Sequence, residues 1–233
     1  MKYILSAIII CSIAMACNSL QGSGNIITAK RTVAAFTGLK VGGAFEVEAT
    51  IGATTTLTIE ADDNIMPLIE TNVKGNVLYI DTKTISNISN GHIKIFITTP
   101  VLSSIDCSGA ASLKVVNPIQ CNDKINIDVS GAAAVNAILN APQVEVASSG
   151  AGKIELSGNT KDYNLKISGA SDVKSSGLLS ENTTVHVSGA GNAYVHASVF
   201  LKATSSGAGT IYYRGAARVD EHVSGAGTIK KEL

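Results

Sequence analysis

The chain has 233 residues with 18 basic side chains against 18 acidic ones, 45% hydrophobic residues, 15% charged residues and no tryptophan. Zero net charge without a basic run argues against nucleic acid and anionic membrane surfaces as partners. The shortage of aromatics suits ladders of Val, Ile and Ala rather than a bulky core, and the length suffices for one elongated body.

At the N-terminus, Lys2 precedes an apolar run from Tyr3 to about Ala14. That run is too short for a membrane span, which needs about 20 residues, and suits the core of a secretory signal. Ala14 and Ala16 before Cys17 resemble a bacterial lipobox, in which the thiol is diacylated and becomes the first mature residue. Cys11 is a poorer site because bulky Ile10 precedes it. The expected division is a signal over residues 1–16, then lipidated Cys17 and a small, polar, flexible tether over 17–25.

Residues 26–101 read as a β-rich segment. The stretches 44–50, 56–61, 77–82 and 92–99 alternate apolar and polar residues, separated by Gly42-Gly43, Gly52, Lys74-Gly75-Asn76 and Asn90-Gly91. Asp62, Asp63 and Asn64 ahead of the apolar group from Ile65 to Ile69 predict one short capped helical turn. The segment is expected to close or extend one end of a stack of strands built by the C-terminal half, since an uncovered stack exposes strand edges.

Over residues 102–233 a Ser-Gly-Ala unit recurs seven times, starting at Ser108, Ser130, Ser149, Ser168, Ser188, Ser206 and Ser224, with spacings of 22, 19, 19, 20, 18 and 18 residues. A period near 20 marks a solenoid whose units bury their apolar sides only against their neighbours. The fifth residue after each Ser is apolar in every copy: Leu113, Val135, Ile154, Val173, Ala193, Ile211 and Ile229. One residue before the Ser come Cys107, Val129, Ser148, Ile167, Val187, Ser205 and Val223, with polar or small residues in between. Alternation with period two on both sides of the unit predicts strand, corner, strand. Gly109 and its equivalents supply the positive φ of the bend, and the Ser hydroxyls are expected to stack as a ladder. The expected architecture is all-β, a solenoid of about seven coils. Cys107 falls at an inward position, so a buried thiol is favoured over a disulfide to Cys121.

Chemistry-bearing patterns are sparse. His92, His186, His196 and His222 have no metal spacing, and no metal or cofactor is expected. Asp106 stacked next to Asp128, with Glu145 one coil on, is a weak acidic cluster that could serve glycoside chemistry, although no basic or aromatic subsite is evident beside it. Tyr194 and Tyr212 share an outward offset on adjacent coils and are the better ligand-binding candidates, two rings set to meet a sugar or a partner protein.

The lipobox, the start at Gly24-Asn25-Ile26, the segment from Phe36 to Val41 leading into Phe45-Glu46-Val47, and the repeated Ser-Gly-Ala-Gly together resemble the auto-transporter adhesin, head GIN domain family of Bacteroidetes-type envelope proteins. The resemblance implies a right-handed parallel β-helix on an envelope lipoprotein, with adhesion and no catalytic residues to carry over. The expected partners are the membrane, through the N-terminal lipid, and a glycan or an envelope or host surface protein, with homo-oligomers open. The expected location is the outer membrane, lipid-anchored, facing the periplasm or the cell surface. The reading is a non-enzymatic adhesin-like lipoprotein; the alternative is a polysaccharide lyase or glycosidase on the same scaffold.

Overall fold

Each Ser-Gly-Ala unit is a corner, and the corners stack. In the computed structural model, which describes residues 19–83 and 87–232, the amide of the Ala in one coil donates to the carbonyl of the Gly in the coil before: Ala132 to Gly109, Ala151 to Gly131, Ala170 to Gly150, Ala190 to Gly169, Ala208 to Gly189 and Ala226 to Gly207, all at 2.7–2.8 Å. The bend needs a left-handed backbone, as at Gly131 with φ +72, and a Cβ there would lie 2.7 Å from the oxygen of Gly109. Glycine is therefore required twice over, for its φ and for the space above the coil below. The signal expected over residues 1–16 and the acylation expected at Cys17 lie outside the described residues.

Strands on both sides of the corner pair in parallel, residue over residue. Lys124–Gly131 lies on Ser104–Cys107, and Ala134–Gly150, Lys153–Gly169 and Asp172–Gly189 follow the corners as long bent strands. Beyond the two faces read from the sequence there is a third, short one. Ile119–Gln120 pairs with Leu139 and Asn140, and Leu139 in turn with Gly158. The solenoid is thus three-sided.

The interior is the column of residues predicted to point inward. Leu113, Val135, Ile154, Val173, Ala193 and Ile211 are all buried, as are Ile105, Ile127, Leu165 and Val187. Each large aliphatic side chain withdrawn in this way contributes about 1.5–3 kcal/mol relative to exposure. Where an inward position is polar, a partner is built beside it. Ser148 Oγ donates to Ser171 Oγ at 2.8 Å, Tyr163 OH to Ser175 Oγ at 3.1 Å, and Ser175 Oγ to the carbonyl of Tyr194 at 2.8 Å. Among the described residues no buried side-chain polar atom lacks a partner. Burial pushes the Tyr163 hydroxyl well above its ordinary pKa.

The N-terminal segment both extends and closes the stack. Gly38–Val41 and Glu46–Ile51 form a further coil beneath the first repeat, pairing in parallel with Ser104–Cys107 and Ser112–Val115. Its corner is Gly42-Gly43-Ala44: Ala110 donates to Gly43 O, so Gly43 begins the glycine column. Val77–Thr82 and Ile93–Thr99 lie on the far side of this coil, after which pairing turns antiparallel through Ile69–Lys74 on one face, and Thr56–Asp62 and Ile26–Arg31 on the other. The switch to antiparallel pairing ends the solenoid.

Two local expectations are corrected. The helical turn exists as a 3-10 turn, Met66–Leu68, but no side chain caps it. Asp62 instead is buried, accepting Gly24 N–H at 2.6 Å and His92 N–H at 2.7 Å. Nor are the described residues of the expected tether free, since Ser19–Gln21 forms a parallel strand with Asn87–Ser89 and Leu20 packs against the core. Pinned backbone replaces a flexible link because Asp62 to Asn64 supply acceptors for the chain on both sides of Gly24. Cys107 is buried and unpaired, Cys121 half-buried and unpaired, and burial pushes the Cys107 thiol up to about 12.

Candidate functional site

Two outward columns run side by side on the face that precedes the corners. One carries Lys40, Asp106, Asp128, Ala147, Lys166 and His186; the other carries Ser104, Asn126, Glu145, Asn164 and Thr184. Where the small Ala147 interrupts the first column, the surface sinks. A depression of about 330 Å³ opens between the columns, lined by Asn126, Asp128, Glu145, Asn164 and Lys166. A second, of about 490 Å³, lies on the corner side of the same column, where Ser130, Ser149 and Ser168 meet Asp128, Lys166 and His186.

The acidic cluster sits in this groove with Asp106 directly over Asp128, as expected, while Glu145 stands in the neighbouring column beside Asn126. The expectation that no basic group lies nearby is corrected. Lys40 Nζ donates to Asp106 at 2.5 Å, and Lys124 Nζ and Gln143 Nε2 donate to Glu145 at 3.2 and 2.9 Å. Lys40 is held above the usual lysine range, first by its hydrogen bond to Asp106 and then by the charge of that carboxylate. Asp128 has no such donor among the described residues: desolvation first, then Asp106 and Glu145, push its carboxyl above the ordinary value against the opposing pull of Lys40. Two carboxylates are therefore tied to lysines, and the third borders the groove.

Tyr194 and Tyr212 do stack, with ring centroids 4.7 Å apart and planes 8° from parallel. The stacking direction is that of the coils, so each ring covers a face of the other, and Lys174 and Lys230 occupy the next places in the column. The pair offers edges and hydroxyls rather than flat faces. Tyr194 is held above the ordinary tyrosine value by desolvation, then by Asp172, Tyr212 and Glu232.

The corner Ser residues stack in backbone register, and two of their hydroxyls bond to the backbone of the coil before instead of to one another. Ser108 Oγ donates to Val41 O and Ser188 Oγ to Ile167 O, both at 3.3 Å. The four histidines stay apart; His186 and His222 are two coils from one another, and among the described residues no group of three or more His, Cys, Asp or Glu could hold a metal ion. No helix among the described residues is long and apolar enough to cross a membrane.

A stack of coils that presents regular outward columns, with a mixed-charge groove on one face, defines a protein of the parallel β-solenoid class. The chain belongs to the family described as "putative auto-transporter adhesin, head GIN domain", whose model matches residues 35–217. Among solved structures, one of an adhesin of Bacteroides fragilis, described there as putative, is similar with a TM-score of 0.87 and 26% identity over 92% of this chain and 100% of that one. One of a Parabacteroides distasonis protein under the same description has a TM-score of 0.74 and 25% identity over 92% and 100%. Another protein of that species, described as a "putative lipid binding protein", shares the fold at 19% identity with a TM-score of 0.76 over 92% and 100%. No curated protein matches the chain.

Proposed function

We propose that this protein is a non-enzymatic, lipid-anchored cell-envelope adhesin, held at the membrane through Cys17, whose solenoid binds a hydroxyl-rich glycan along the groove at Ala147. The observation that carries the reading is the groove itself. Amides from Asn126 and Asn164, carboxylates from Asp128 and Glu145, the Lys166 ammonium and a row of Ser hydroxyls surround a floor lowered by one small side chain. Such groups donate to and accept from sugar hydroxyls without needing a reactive centre. Lysine partners offset the charge of Asp106 and Glu145, two of the three carboxylates, which favours binding over acid and base chemistry at those two groups.

A glycan array probed with the full chain tests this, alongside Ala147→Trp, which fills the depression, and Tyr212→Ala as a distant control. Binding lost in the first variant and kept in the second is the expected result. Release of reducing ends from a polysaccharide, abolished by Asp128→Asn, would overturn the non-enzymatic reading, and binding confined to a protein would replace the glycan. For the anchor, Cys17→Ser is expected to end incorporation of labelled fatty acid.

A further inference from the structure

We propose that the antiparallel end of the solenoid is seated on the lipid bilayer, with the exposed pair Ile26 and Ile27 at the contact, so that the adhesin stands in a fixed pose rather than swinging on a leash. This rests on the lipid anchorage proposed above. Only Asn18 separates Cys17 from the strand Ser19–Gln21. Two residue steps span at most about 7 Å, whereas a free nine-residue tether over 17–25 would average about 17 Å end to end. An acyl chain on Cys17 therefore brings the body to the membrane surface.

The chain after that point is pinned along its length. Leu20, half-buried against the core, stands opposite Ile88. Ser23 N–H donates to Asn64 Oδ1 at 3.1 Å and Ser23 Oγ to Asp63 Oδ1 at 2.6 Å, while Asn25 Nδ2 reaches Asp63 Oδ2 at 2.8 Å and Gly24 N–H is held by Asp62. The hydroxyl of Ser23 and the amide of Asn25 hold the Asp63 carboxyl below its ordinary range. Ile26, paired with Asp62, comes directly after this clasp. Ile26 and Ile27 are 52% and 39% exposed on a strand that, among the described residues, pairs on one side only, with exposed Lys30 four residues beyond Ile26. Exposed aliphatic side chains on the strand that follows the pinned residues 19–25 match the interface of a bilayer.

The test uses the full-length acylated protein in vesicles of phosphatidylethanolamine and phosphatidylglycerol doped with a headgroup-nitroxide lipid. A dye is placed at Ile27→Cys or, in the terminal coil, at Lys230→Cys, each with Cys121→Ser so that the buried Cys107 is the only other thiol of the solenoid body. Quenching at position 27 is expected to exceed that at 230 at least fivefold, and a 12-residue Gly-Ser insert after Asn18 is expected to bring it down to the level at 230. Equal quenching at the two positions, or quenching that ignores the insert, overturns the proposal while leaving the anchor standing. A mass spectrum without acyl chains removes the anchor and the seating together. Shielding of the dye at 27 in detergent as strong as in vesicles would show that a second protein copy covers the patch, and also overturns it.

Discussion

At the scale of single residues, the groove makes Asp128 a sensor of its own burial. Its carboxyl is held above the ordinary value by desolvation and by Asp106 and Glu145, so the ionised form is disfavoured in the folded state. A raised acidic pKa leaves stability at its full value below the unfolded pKa, about 3.9, and takes some away as pH rises through the folded value. Asp128→Asn is therefore expected to raise Tm at pH 7, with the gain vanishing below about pH 4, the unfolded carboxylate value. Thermal melts across that range check it, and a gain that persists in acid would sink the account. Glycine at the corners gives a second case. Gly75 and Gly131 have φ values of +54 and +72, but a Cβ on Gly75 meets nothing within 4 Å whereas one on Gly131 meets the carbonyl of Gly109. Gly75→Ala should cost about 1 kcal/mol of backbone strain and Gly131→Ala about 3 kcal/mol or more, in urea titrations. Equal losses would mean that φ alone matters.

At the scale of the element, the strand register decides which substitutions are tolerated. Val187 is fully buried, and Lys174 is exposed on the opposite side of the same bent strand. Val187→Asp is expected to destabilise by about 3 kcal/mol or more by burying an unpaired charge, and Lys174→Asp to stay within about 0.5 kcal/mol. Similar melting points for both would invert the assignment of inside and outside. The inside was legible in the sequence because period-two alternation repeats seven times, and a column of Leu, Val and Ile at a constant offset from Ser has one physical reading. The extra coil was hidden because Gly42 stands where later corners have Ser, so no pattern in the chain places Lys40 on Asp106. The groove was half legible. Asp106, Asp128, Ala147 and Lys166 share one offset, but the depression needs the second column of Asn126, Glu145 and Asn164, and it needs Ala147 to be recognised as a gap. The clasp at Asp62 and Asp63 had no signal in the chain, since aspartates before an apolar group read as helix caps. Their true partners, Gly24, Asn25 and His92, lie about 30–40 residues away in sequence.

At the scale of the whole molecule, the two ends of the stack are finished differently. One end changes to antiparallel strands; at the other, among the described residues, Arg218–Gly225 and Thr228–Lys231 pair with the coil before them and with nothing beyond. Val223 at an inward place is 43% exposed, and the inward places opposite Ala203 and Tyr213 hold Glu221 and Lys231. An open row of backbone donors and acceptors invites another strand, and charges at inward places oppose this at little cost because water still reaches them. Glu221→Val combined with Lys230→Thr and Lys231→Thr is expected to keep the monomer fold by circular dichroism and to promote end-to-end association, seen as light scattering that rises with concentration. The Arg214 to Glu232 pair at 3.0 Å and the backbone pairing of Thr228–Lys231 with Thr210–Tyr213 remain in this variant. A triple variant that unfolds while staying monodisperse would show instead that Glu221, Lys230 and Lys231 hold the final coil through specific pairs, and the blocking role would be withdrawn.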